Sequence, residues 1–403
     1  MTAQDAPVKF PFAALPSLFQ LPQDLRAPVG HQPVTRAELP DGSLAWLVSG
    51  FEELRQVFID PRFSRVLAAA VERARPGTGR FAADTILGMD PPEHTRLRKL
   101  VAGAFTARRV QELRPRVARI VGELLDGLLA GSRPADLVST FSLPLPVRVI
   151  CEMLGVPPQD LDKFRAWSDA MLGDWDLDMD DMSAAVTGIS GYFAELIESK
   201  RTRPADDLMN ALIAVRDGSD RLSEDELINL GIFLLVAGHE TTANQINSSL
   251  LTLLANPGEL DRLRRDPGLI PDAVEELLRF VPLIGGIPVG RVSAEDVRLG
   301  DVTIPAGELV LPLFAAANRD PSVFPDPDRL DLSRVVGTHL TFGAGVHHCL
   351  GAQLARMELQ EAFRGLLSRV PGLRLAVPAG ELRFKAKMIL YSLHELPVTW
   401  DEA

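Results

Sequence analysis

Thr341-Phe342-Gly343-Ala344-Gly345-Val346-His347-His348-Cys349-Leu350-Gly351 sets one cysteine in a turn bracketed by three glycines. The glycines allow a tight turn and bring amide N–H groups toward the sulfur, where a β-carbon would obstruct them. Leu350, Leu354, Met357, Leu366 and Leu367 then recur at roughly helical spacing, which predicts a helix beginning at the cysteine. The positive end of such a helix favours negative charge on sulfur, so Cys349 is expected as a thiolate and as a metal-ligand candidate.

Two plainer readings compete. A small buried thiol leaves the glycines and Phe342 unexplained. Zinc held by His339, His347, His348 and Cys349 fits poorly, because the adjacent His-His-Cys run lacks the spaced ligand pairs of structural zinc sites. The run resembles the haem-binding signature of the cytochrome P450 superfamily, Phe-Gly-x-Gly-x-His-x-Cys-x-Gly. Phe342, Gly343, Gly345, His347, Cys349 and Gly351 match every fixed position. The resemblance implies that Cys349 is the axial thiolate ligand of haem b, with Phe342, Gly343, His347 and Gly351 around the cofactor.

A chain of 403 residues, 46% of them hydrophobic, can bury a large core, and no linker, low-complexity tract or repeat divides it. One domain, 1–403, is expected. The net charge of -12 argues against general nucleic-acid binding. Met1 to Phe19 mixes Asp5, Lys9 and three prolines among its apolar residues, so neither a signal peptide nor a spanning helix is expected. Two cysteines, Cys151 and Cys349, give no disulfide framework, in keeping with a reducing cytoplasm.

From the N-terminus, the Asp41-Gly42 turn and Ala45 to Val48 read as a strand of a small sheet, and Phe51, Leu54, Val57 and Phe58 as a short helix. Arg65 to Gly88, with an alanine-rich patch, Arg73, Arg75, Arg80 and the breakers Pro76, Gly77 and Gly79, reads as a mobile connection. In the resembling family that connection covers the distal pocket; an ordinary surface loop is the alternative. Pro91-Pro92 then starts a helix in which His94 and Arg98, four apart, share a face and can point two donors at one anion. The resemblance makes that anion a haem propionate. Val110, Leu113, Val117, Ile120, Val121, Leu124 and Leu128 form a core-facing stripe, and Cys151 reads as packing. Asp169 to Met182, rich in aspartate, reads as a solvated loop with helix caps. Its place resembles the family's lid, where the acids would attract a cationic substrate.

Ser223-Glu224-Asp225-Glu226 is a capping box that opens a helix of roughly 30 residues, about 45 Å long, ending near Ala255. Ala237-Gly238-His239-Glu240-Thr241-Thr242 interrupts its apolar middle with polar groups. A threonine hydroxyl there can capture a backbone carbonyl. The cluster resembles the family's oxygen-activation motif, which implies that Thr241 and Glu240 hold bound oxygen species and deliver protons. Glu276 and Arg279, three apart, can pair on a helix. They match the family's Glu-x-x-Arg scaffold, with Arg334 as the third member. By the same analogy Arg291 joins His94, Arg98 and His347 as a propionate donor, and Val236, Ala237, Leu283, Ile284, Ile287, Met388 and Ile389 line the substrate pocket. Asp296 to Leu313 and Arg383 to Trp400 read as short strands.

With the motifs in order along nearly the whole chain, the resemblance implies a mainly α fold with a small β region, haem lying between a long central helix and the cysteine-loop helix. Within the superfamily the chain looks most like soluble actinobacterial enzymes that tailor antibiotics and other secondary metabolites. The implied activity is a monooxygenase that inserts one atom of dioxygen into a C–H bond (hydroxylation) or a C=C bond (epoxidation) of a hydrophobic, macrolide-like small molecule. A haem-thiolate enzyme for phenol coupling or peroxide-driven oxidation, or a haem sensor, is the alternative; the Glu240-Thr241 pair favours the monooxygenase. No flavin or nucleotide fingerprint follows Leu350, so a ferredoxin and a ferredoxin reductase are the implied electron donors, docking near Arg96 to Arg109 of a monomer.

Overall fold

The longest helix starts where the sequence writes its cap. The Ser223 amide donates to the Glu226 carboxylate at 2.8 Å, and the Glu226 amide donates to the Ser223 hydroxyl at 3.1 Å. From this box the helix Glu224–Leu254 runs 31 residues without a break through Ala237 to Thr242. The polar cluster therefore changes what the helix presents and leaves its backbone path intact.

The structure is a computed structural model that describes residues 7–10, 32–74, 85–160, 163–164, 166–167, 179–219, 222–284, 289–385 and 390–402. The fold is mainly α with small sheets. Its main helices, in order, are α1 (Phe51–Ile59), α2 (Arg65–Ala74), α3 (Glu93–Ala102), α4 (Ala107–Ala130), α5 (Pro144–Leu154), α6 (Met179–Thr202), α7 (Leu208–Ser219), α8 (Glu224–Leu254), α9 (Pro257–Arg265), α10 (Ile270–Phe280) and α11 (Ala352–Arg369). Two compact units share them. One comprises Met1–Asp90, Ser248–Cys349 and Ile389–Tyr391; the other comprises Pro91–Asn247, Leu350–Met388 and Ser392–Ala403.

The first unit is built on a six-stranded sheet. Its order is β1 (Val8–Lys9), β2 (Val34–Glu38), β3 (Leu44–Val48), then Leu309–Pro312, Arg291–Ser293 and Phe63–Ser64. The predicted strand near Trp46 pairs parallel with Leu309–Pro312, placing Trp46 opposite Val310. Against this sheet α1 turns the apolar face predicted for it. Phe51, Leu54, Val57 and Phe58 pack with Val48, Val310 and Leu340, so one core joins the sheet to the segment entering the cysteine loop.

The mobile connection read from Arg65 to Gly88 is corrected. Arg65–Ala74 is helical, and Ile86–Gly88 is a 3-10 turn capped by the Thr85 hydroxyl. Asp90 supplies the start of α2: its carboxylate accepts from the Ser64 hydroxyl at 2.5 Å and from the amides of Arg65 and Val66 at 2.9 and 3.1 Å. A cap 25 positions downstream leaves no local signature, which is why composition alone reads the segment as a loop. Residues 75–84 lie outside the described residues.

In the second unit the stripe of α4 packs on α11, and Val117, Ile120, Val121, Leu124 and Leu128 are buried. The two helices approach so closely at Gly365 that a Cβ there would stand 2.5 Å from Val121 Cγ1. Helix α5 ends at Gly155, whose φ of 67° needs no β-carbon. Cys151 is buried in α5, and burial pushes its thiol up to about 12, as befits an inert packing residue. Among the described residues the strand reading of Arg383 to Trp400 narrows to Pro397–Thr399, with isolated bridges from Phe384 to Leu393 and from Leu390 to Ile284. Most of the aspartate-rich stretch, residues 168–178, lies outside the described residues.

Candidate functional site

The cysteine loop up to and including Cys349 belongs to the first unit, and Leu350 and Gly351 to the second. Gly343 and Gly345 adopt φ of 67° and 66°, left-handed values that favour glycine. Gly345 is constrained twice, since a Cβ there would lie 2.4 Å from the Phe58 carbonyl oxygen. The loop closes on itself: the Gly343 amide donates to Leu340 O and the Cys349 amide to Phe342 O, both at 2.8 Å. The thiol is exposed. Helix α11 begins at Ala352 with Gly351 as its N-cap, in an ordinary backbone conformation. Cys349 thus lies two positions before the cap. His347 is half-buried, and His348 is exposed with its ring 6.4 Å from that of Phe342.

The four-ligand zinc reading of this loop needs His339, and both nitrogens of that ring are engaged elsewhere. That ring is buried, its Nε2 lies 3.2 Å from Glu275 Oε2, and its Nδ1 accepts the Thr341 amide at 3.3 Å. Among the described residues no group of His, Cys, Asp and Glu is arranged to hold a metal by itself.

Arg291 stands on the strand Arg291–Ser293 of the same unit, buried, with its guanidinium over the Phe58 ring and donating to Gly290 O at 3.0 Å. No carboxylate pairs with it among the described residues. The nearby Glu72 is held by Arg65, and Asp90 by the start of α2. Burial, aided by repulsion from Arg65, pushes the Arg291 guanidinium down to about 9. A buried cation in this condition asks for an anion, and a carboxylate-bearing cofactor fits that demand. Arg65 itself escaped the sequence reading. It is fully buried, bidentate to Glu72 and donating to Leu87 O and Gly290 O, inside a run whose composition looked like solvent-exposed loop.

Also in this unit, Arg279 makes paired bonds to Glu276 at 2.7 and 2.8 Å, and both side chains are buried. Arg279 further donates to Asn318 O and Pro327 O. Arg334 Nε donates to Glu276 at 3.2 Å, as does the Asp331 amide at 3.1 Å. The carboxylate is thus shared by three donor groups, the condition under which a buried charge is tolerated. Leu283 and Ile284 are half-buried. Leu283 O accepts the Tyr391 amide, and Ile284 bridges to Leu390. Ile287, Met388 and Ile389 lie outside the described residues.

In the second unit, α3 begins after Pro92 and buries His94, with Arg98 half-buried one turn on. Midway along α8, Thr241 Oγ1 donates to Ala237 O at 2.9 Å and Thr242 Oγ1 to Gly238 O at 3.2 Å. Each hydroxyl hydrogen is thereby committed to the preceding turn, leaving the oxygen to act as an acceptor. Glu240 is buried, and its Oε1 accepts from Asn244 Nδ2 at 3.1 Å. Val236 is buried, and Ala237 is half-buried beside this cluster.

Residues 159–267 and 268–370 match the family model for cytochrome P450. The chain belongs to the cytochrome P450 family, a haem-thiolate family, and is a monooxygenase. It is 49% identical to the mycinamicin IV hydroxylase/epoxidase of Micromonospora griseorubida over 92% of this chain and 93% of that one. To the nocardicin C N-oxygenase of Nocardia uniformis subsp. tsuyamanensis it is 50% identical, with the same coverage. Its fold matches the crystal structure of the LnmA cytochrome P450 hydroxylase from the leinamycin pathway of Streptomyces atroolivaceus with a TM-score of 0.90 at 43% identity, over 98% of this chain and all of that one.

Proposed function

We propose that the protein is a cytoplasmic haem b monooxygenase that hydroxylates or epoxidises a hydrophobic, macrolide-like secondary metabolite, with Cys349 as the iron ligand. The observation that carries the reading is the closed glycine loop, which fixes the Cys349 backbone and leaves its thiol exposed. Arg291 supports it independently as a buried guanidinium in need of a carboxylate, and His94, Arg98 and His347 are the further donors to the propionates. When bound, haem supplies the redox iron that activates dioxygen.

The chain's own groups do the rest. Thr241 Oγ1, its hydrogen held by Ala237 O, accepts a hydrogen bond and so orders a proton-bearing neighbour. Glu240 keeps one oxygen on Asn244 and offers the other as a proton carrier. By the family resemblance, Val236, Ala237, Leu283, Ile284, Ile287, Met388 and Ile389 are the residues proposed to meet the substrate. Ferredoxin and its reductase donate the electrons, docking near Arg96 to Arg109.

The test has two stages. Reduced protein under carbon monoxide should give the red-shifted band of thiolate ligation, and Cys349→Ala should lose it; a wild-type spectrum without the band rejects the ligand assignment. Turnover of candidate macrolides under labelled dioxygen should then place one labelled atom at carbon. Label at nitrogen would shift the reading toward the chemistry named for the nocardicin relative, and reductant-independent turnover would reject ferredoxin-driven oxygenation.

A further inference from the structure

His339 lies ten positions before Cys349 and is absorbed by none of the roles above. Its surroundings define its state. The backbone N–H of Thr341 points at Nδ1, so that nitrogen must be the acceptor and carries no proton. The remaining proton therefore sits on Nε2 and is donated to Glu275 at 3.2 Å. Glu275 precedes Glu276 on α10, so two successive carboxylates of one helix reach two different parts of the path to the cysteine.

The stretch that His339 holds is the one on which the loop closes. The Thr341 hydroxyl donates to Leu278 O at 2.7 Å and accepts from Asn318 Nδ2 at 2.9 Å. The Leu340 amide donates to Asn318 Oδ1 at 2.7 Å. The Leu340 amide, the Thr341 hydroxyl and, through His339, the Thr341 amide are thus all engaged. Leu340 O and Phe342 O then receive the amides of Gly343 and Cys349. The His339 ring also lies 5.8 Å from that of Phe342. A ring turned over about its χ2 would lose both bonds, and the Glu275 carboxylate opposes that turn.

We propose that Glu275 and His339 form a positioning pair for the cysteine loop: Glu275 fixes the Nε2-protonated tautomer, and His339 Nδ1 anchors the Thr341 amide and through it the Phe342 carbonyl that holds Cys349. This rests on the reading of Cys349 as the iron ligand. Neither residue touches the reacting atoms. Outer-shell groups of this kind set how firmly a metal ligand is presented.

Replacing the ring by two different amides separates the pair from simple packing. In His339→Asn the carboxamide oxygen stands near the place of Nδ1 and can still accept the Thr341 amide. In His339→Gln the amide extends toward Glu275 and no acceptor remains near Nδ1. With each holoenzyme at equal haem content, the lifetime of the thiolate band of the reduced carbon monoxide complex should shorten about ten-fold in His339→Gln and stay within about two-fold of wild type in His339→Asn. Amide exchange across residues 340–350 should rise in the first variant and not in the second. Equal behaviour of the two variants, unimpaired or impaired alike, overturns the proposal. Should His339→Gln fail to fold, Glu275→Ala takes its place: raised exchange across the same peptide supports the pair, and wild-type exchange overturns it. A wild type without the thiolate band rejects the role of Cys349, and the exchange measurements still judge the pair.

Discussion

Glu358 on α11 is buried, and its Oε2 finds no hydrogen-bond partner among the described residues. Burial alone pushes its carboxyl well above the ordinary value of 4.5. The native state therefore keeps a proton that the unfolded chain releases. Stability consequently falls as pH rises from about 4.5 toward the folded pKa. Glu358→Gln, which removes the titration and keeps the shape, should gain about 1–3 kcal/mol at pH 8 and nothing at pH 4. Melting curves of both proteins at the two pH values decide it; equal melting points at pH 8 refute the protonated state. Glu358, Arg65 and the Glu275–His339 bond were invisible in the sequence for one reason. Their meaning depends on burial and on partners that no local spacing reveals. The pairing of Glu276 with Arg279 was legible because the two stand three apart on one helix.

Among the elements, those with local signals were legible. The box at Ser223 and Glu226 gave the start of α8, and the apolar spacing of Phe51 to Phe58 gave α1. Helix α2 was missed because Asp90 caps it from a distance. The cysteine loop was legible as a glycine turn, yet its glycines are not equivalent. Gly343 faces open space for a Cβ, whereas Gly345 abuts the Phe58 carbonyl. Gly343→Ala should cost about 1–2 kcal/mol of stability, the strain of a left-handed alanine, and keep the thiolate band. Gly345→Ala must displace backbone as well, and should lose most of that band at equal haem content. Reduced carbon monoxide spectra of the two variants, beside denaturant titrations, test the contrast; matching spectra would contradict it.

At the scale of the whole molecule, charge is legible and topology is not. Nothing near Trp46 announces that it lies opposite Val310, because that pairing is set by the sheet as a whole. With a net charge of -12, the arginines proposed above as a docking site already have acidic company. Arg96 pairs with Glu226, and Arg108 and Arg109 pair with Glu112. Exposed pairs like these hold weakly, so a more acidic partner can compete for the arginines. Arg108→Glu with Arg109→Glu should therefore raise the KM for ferredoxin several-fold at low ionic strength, and the difference should vanish at about 0.5 M salt. A difference independent of salt would point away from this segment as the docking face.

The long-range cap on α2 has a further consequence, for engineering. Asp90 grips the helix start, and Arg65 reaches Leu87, so the described contacts tie the chain on either side of residues 75–84 to the same unit. The closure of that segment is enforced from outside it. Doubling its length would then add only about 0.6 kcal/mol of closure entropy. Because the described contacts hold both flanks, α2 and the turn at Ile86–Gly88 should stay joined when the length between them is changed.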